Sequence, residues 1–245
     1  MNDEDRFDDQ LLEKRIETFY GYGNYQGKYW FIGMEEAGGD FKDVNHRINI
    51  WVNRGKKEID DVAEYHIDMG WPEGFQKGAP IQPTWKGLIR TVLSAEGNEN
   101  ITRENIREYQ ISQLGRENKA TCLLELFPLP SPSLYHWIYG QYSHIAYLKD
   151  RRTYEEYYLD MRINHIANRI REYQPQGVVF YGKLYEYSWR KITQQITNVE
   201  FTSTPEGFSL CRDSQTVFVI AKHPVAFGVT NEYFSQIGKA IAAQV

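Results

Sequence analysis

Cysteine is nearly missing from this 245-residue sequence, which carries only Cys122 and Cys211. Two cysteines exclude a disulfide scaffold, a four-cysteine zinc site and a four-cysteine iron–sulfur cluster. No apolar run is long enough to span a bilayer. The acidic start, MNDEDRFDDQ, lacks the basic and apolar regions of a secretory signal. The expectation is a cytoplasmic protein with no membrane partner. Excess positive charge is missing too: the net charge of −5 excludes a uniformly basic nucleic-acid coat, though not a local groove. No Walker loop, nucleophile elbow or dinucleotide fingerprint occurs, and Gly21-Tyr22-Gly23 precedes a strand where that fingerprint has to follow one. No cofactor is expected. No repeat, low-complexity tract or Pro/Gly/Ser linker divides the chain, so residues 1–245 read as one domain.

What is present is ordinary globular composition, 41% hydrophobic and 25% charged, in a chain long enough to bury a large core. Aromatics reach 15%, and most of the tyrosines are expected to be half-buried with a hydrogen-bonded tip. Apolar runs at Tyr29–Gly33, Thr121–Leu126, Gly177–Tyr181 and Thr216–Ala221 read as buried core strands. Helical periodicity marks 8–19, 83–95, 102–114, 151–173 and 231–243, with Gly97, Gly115 and Pro175 as stops. Pro205-Glu206-Gly207 sits in a hairpin between 199–202 and 208–211. Strands alternating with helices predict a three-layer α/β/α sandwich around a mainly parallel, four-stranded sheet, with a helical segment at about 41–118 between its first two strands. Ligands of such folds bind beyond the carboxyl ends of the strands. That rule gathers Gly33–Asp40, Glu125–Ser133, Gly182-Lys183 and Lys222–Gly228 into one candidate site.

Within it, Glu35 and Glu36 are adjacent carboxylates in a glycine-rich turn, able to orient water or face developing positive charge. A solvated acidic turn accounts for them equally well. Glu125 is a carboxylate in an otherwise apolar strand, so it needs a partner. A structural ion pair is its alternative account. His223 follows a core strand in a loop restricted by Pro224 and Gly228, and can donate to a developing oxyanion or a base carbonyl. Capping a strand or helix end is its simpler role. His46, His66, His136, His144 and His165 show no metal-ligand spacing and read as surface or half-buried.

Together these segments resemble the uracil-DNA glycosylase superfamily. Gly33-Met34-Glu35-Glu36-Ala37-Gly38 is similar to its first motif, Leu123-Leu124-Glu125 to the intermediate motif, Val179-Phe180-Tyr181-Gly182-Lys183 to the stretch that follows, and His223-Pro224 to the last. The resemblance implies a fold of that type and hydrolysis of the glycosidic bond of an extruded nucleotide. It implies that Glu35 or Glu36 orients water and that His223 stabilises the departing base. Gly33, Glu125 and Phe41 would surround the base, although Phe41 is equally an ordinary packing residue. Lys183, Lys222 and Phe227 would meet nucleic acid, Phe227 as a wedge, although Phe227 too is equally an ordinary packing residue. Members usually read the base with Asn where Glu125 stands, and Val225 replaces their usual serine. An ionised Glu only accepts, which disfavours uracil O4 and favours an amino-bearing base; a protonated Glu donates and admits uracil.

Three readings follow. The first is a divergent glycosylase acting on a non-uracil or modified base in nucleic acid or a nucleotide. The second is a non-catalytic module binding nucleic acid or a nucleotide on the same fold. The third is a metal-dependent hydrolase using Glu35, Glu36, Glu125 and His223, although no spacing demands a metal.

Overall fold

The structure, a computed structural model, describes residues 6–243. In chain order its elements are α1 (Asp9–Thr18), β1 (Gly21–Gly23), β2 (Tyr29–Gly33), α2 (Phe41–Asn53), β3 (Ile59–Asp60), α3 (Val62–Asp68), α4 (Pro83–Ala95), α5 (Arg103–Ser112) and β4 (Thr121–Glu125). They continue with α6 (Tyr139–Tyr142), α7 (Arg151–Tyr173), β5 (Gly177–Tyr181), α8 (Glu186–Gln194), β6 (Thr202–Ser203), β7 (Ser209–Arg212), β8 (Val217–Ala221) and α9 (Asn231–Ala242).

The fold is α/β, built on one mixed sheet of eight strands in the order β3-β1-β4-β2-β5-β8-β7-β6. The four expected strands are neighbours within it: β2 runs parallel to both β4 and β5, and β8 parallel to β5. A four-stranded sheet was too small an expectation. The antiparallel β7 and β6 extend one edge, and β1, antiparallel to β4, carries β3 on the other. The hairpin around Pro205 belongs to the first extension. Strand β1 escapes a sequence reading because Gly21 and Gly23 look like a break. They are there for close approach: at φ +140° a Cβ on Gly21 would lie 2.1 Å from the Leu123 carbonyl oxygen, and one on Gly23, at φ +105°, 2.3 Å from that of Thr121.

Alternation along the central strands splits the core in two. Trp30, Ile32, Leu124, Val178, Phe180 and Ile220 face the side covered by α1, α7 and α8. Phe31, Leu123, Val179, Val217 and Val219 face the side covered by α4 and α9. Both faces are dry, which is why these strands read as unbroken apolar runs. The segment 41–118 supplies α2 to α5 together with the short strand β3. Among the described residues no helix is long and apolar enough to cross a membrane.

One buried side chain ties the two kinds of element together. Arg162, at the centre of α7, is fully buried and donates to the carbonyls of Ile16, Phe19, Glu125 and Leu126 at 2.8–3.2 Å, with its guanidinium 3.5 Å from the Tyr20 ring centroid. Those carbonyls lie at the end of α1 and the carboxyl end of β4, where regular pairing stops and acceptors need donors. The place where Glu125 sits is therefore held from behind.

Candidate functional site

At the carboxyl ends of the central strands lies a cavity of about 440 Å³. After β2 the chain is stapled to the loop that follows β4: Phe127 N–H donates to the Met34 carbonyl at 2.7 Å, Ser131 N–H to that of Glu36 at 3.1 Å, and Ala37 bridges to Ser131. In such extended backbone successive side chains point opposite ways. Glu35 and Glu36 accordingly go to different cations. Glu35 meets Arg151, the first residue of α7, at 2.6 Å, and Glu36 meets Arg47 of α2 at 2.8 Å. Arg151 also donates to the Ser133 carbonyl and lies over the Trp137 ring. The Glu35 side chain is only 5% exposed, and burial lifts its pKa to about 7 against the lowering influence of Arg151.

Glu125 closes β4, in register with Gly33. Its backbone is fixed by Arg162 and by its own N–H donating to the Tyr20 carbonyl at 2.9 Å. Among the described residues no cation forms an ion pair with its carboxyl. Oε1 accepts a long hydrogen bond, 3.4 Å, from the Tyr181 hydroxyl, and Oε2 is buried with no partner among the described residues. Burial, reinforced by the charges of Glu36 and Glu35, raises the Glu125 pKa far above the ordinary carboxyl range. Two of the three carboxyl groups thus pair with guanidiniums, and the third is the one that burial drives toward its protonated form. Tyr181 reaches Glu125 because residue 33 is glycine: a Cβ there would lie 2.4 Å from the Tyr181 hydroxyl oxygen.

His223 lines the same cavity, its ring 5.6 Å from that of Tyr181 in an edge-on arrangement. Burial lowers its pKa, which favours the neutral ring. Val225 N–H donates to Nδ1 at 3.4 Å, which leaves the ring proton on Nε2 as a donor. A second cavity histidine has the opposite polarity. His66 of α3 lies 2.7 Å from the Val62 carbonyl through Nδ1, and a carbonyl only accepts, so Nδ1 carries the proton and Nε2 is an acceptor. Its pKa is lowered by burial as well.

The cavity therefore brings together Glu35, Glu36, Glu125 and His223 as the sequence suggests, with Gly33 acting through Tyr181. Phe41 is not part of it: its ring packs 4.8 Å from those of Phe7 and Tyr142, so packing is its role. Lys183 is exposed beyond the turn at Gly182, and Lys222 extends over the Tyr233 ring with its backbone N–H donating to the Tyr233 hydroxyl. Neither lysine pairs with the cavity carboxylates; the arginines do. Phe227 is fully exposed, as are Tyr135 and most of Leu184, on the loops that leave β8, β4 and β5 at this same end.

Arg47, Arg151, Tyr181 and His66 were missed by sequence reasoning. A buried carboxylate announces that it needs a partner, but the cation for Glu35 lies 116 positions away. Among the described residues no group of three or more His, Cys, Asp or Glu side chains is placed to hold a metal ion, so Glu35, Glu36, Glu125 and His223 lack the geometry of the metal-site reading. No protein-family model and no curated protein matches this chain.

Proposed function

We propose that the chain is an N-glycosyl hydrolase that removes a nucleobase from nucleic acid or a nucleotide. The observation that carries this reading is the buried Glu125 carboxyl, held without a cation in a cavity beside two arginine-paired glutamates and the Nε2–H of His223. A departing base needs donors on its carbonyl edge, and a carbohydrate centre that becomes cationic needs negative charge and an activated water. Both sets converge here. The resemblance of these segments to the uracil-DNA glycosylase superfamily, and their meeting at the ends of adjacent parallel strands, support the same assignment.

In this mechanism the C1′–N bond breaks and its electron pair leaves with the base. His223 Nε2–H and the Glu125 O–H stabilise that anion. Glu35, with a pKa near neutrality, takes a proton from the water whose oxygen bonds to C1′, and the proton returns to the base. Glu36, oriented by Arg47, faces the cationic sugar. A preference for an amino-bearing base rests on an ionised Glu125; the neutral acid reverses it and favours a carbonyl edge. The exposed Tyr135, Leu184 and Phe227 around the mouth suit a partner larger than a free nucleoside.

The test is incubation with single-stranded oligonucleotides carrying uracil, hypoxanthine, cytosine or adenine at one position, followed by alkaline cleavage of abasic sites. Uracil or hypoxanthine should be released ahead of the amino-bearing bases. Glu125→Asn should retain activity and Glu125→Leu lose it. Tight binding without abasic sites for any base would establish the non-catalytic reading instead.

A further inference from the structure

The cavity extends beyond the strand ends into an annex made by none of the four segments. Its walls come from the region 41–118: His66 of α3 and Gln82, Trp85 and Leu88 at the start of α4. At about 440 Å³ the whole cavity falls in the range of pockets for drug-sized ligands, more than a lone base requires.

The annex is ordered before anything binds. Gln82 caps α4, its Oε1 accepting from Trp85 N–H at 2.7 Å, while its own N–H donates to Gln110 Oε1 at 3.0 Å. With Oε1 committed, the Nε2 donors of Gln82 have no partner among the described residues. The Trp85 ring belongs to a rigid aromatic group, 5.5 Å from His66, 5.8 Å from Phe75 and 6.0 Å from Trp71. The Val62 carbonyl fixes the His66 tautomer, leaving Nε2 as an acceptor. The annex thus offers a half-buried indole, the apolar Leu88, one acceptor and one pair of donors. That set matches a flat ring with both donor and acceptor on its edge.

We infer that the annex binds a second planar, hydrogen-bonding ring, carried by the same ligand whose base lies against Glu125. This deepens the glycosylase reading and rests on it. The second ring is either the neighbouring base of the strand or a ring substituent on the base itself, and the two sources share the chemistry the annex recognises.

Calorimetric titration of the full chain with three probes tests this: 2′-deoxyuridine, the dinucleotide of two 2′-deoxyuridines, and 5-(imidazol-4-yl)-2′-deoxyuridine, whose second ring carries one donor and one acceptor. At least one two-ring probe should bind about tenfold or more tightly than 2′-deoxyuridine, stacking on an aromatic side chain being worth about five- to hundredfold. A gain for the dinucleotide assigns the annex to the neighbouring base, and a gain for the imidazolyl compound to a substituent. Trp85→Ala should abolish the gain and leave 2′-deoxyuridine binding unchanged, whereas Trp85→Phe should keep most of it. His66→Leu, which leaves the indole in place, should reduce the advantage of whichever two-ring probe gains and provides the check if Trp85→Ala unfolds. Equal affinity for all three probes, or an equal loss for all three in Trp85→Ala, overturns the annex while the base site stands. If none binds, the nucleobase reading fails and the annex inference with it.

Discussion

Replacing Glu125 by Gln isolates the proton that the cavity holds. Gln keeps the shape, one acceptor and a donor, but cannot ionise. In the wild type the carboxyl is buried without a cation and faces the charges of two other glutamates, so its folded pKa lies well above the unfolded one. A group raised in this way binds more protons folded than unfolded, so stability falls as pH rises between the two values. The contribution is about 1.4 kcal/mol per pH unit within that window. For a chain of this size about 1 kcal/mol corresponds to roughly 2–4 °C in Tm. Thermal unfolding of both proteins from about pH 5 to about pH 6.5, just above the unfolded value, should therefore show the Gln variant gaining on the wild type by about 3–5 °C per unit. Glu35 titrates in both proteins and drops out of the difference. A constant Tm difference across that range, or a wild type that gains on the variant, would show that Glu125 is ionised and that the donor role assigned to it is wrong.

Two further outcomes follow from the same geometry. The rate of base release should rise through about pH 7 as Glu35 loses its proton, and Arg151→Met, by removing the cation that lowers this pKa, should move the limb to higher pH; a limb that stays in place refutes Glu35 as the base. Gly33→Ala should push the Tyr181 ring off Glu125, lowering stability by about 1–3 kcal/mol as overpacking does and lowering activity further than that loss explains, measured by urea unfolding and the abasic-site assay; full activity with unchanged stability would show that Tyr181 does not hold the acid.

The four core strands and the long helix α7 were legible in the sequence because each is a local pattern. An unbroken apolar run says that both faces of a strand are covered, and a repeat near 3.6 says that one face of a helix is. The rule that ligands lie beyond the strand ends then gathers Glu35, Glu36, Glu125 and His223 into one site. One edge was legible as the hairpin around Pro205, because a turn signal joins β6 to β7. The other was not: strands β1 and β3 are two or three residues long, too short for a period, and β1 is marked by glycines that look like a turn. Nor could the sequence say which acid is neutral. That depends on where two arginines from α2 and α7 come to rest, and on Gly33 leaving room for Tyr181 to reach Glu125. Residue type supplies the carboxyl groups, but the proton goes to the one that packing leaves without a cation, and only the tertiary structure decides which that is.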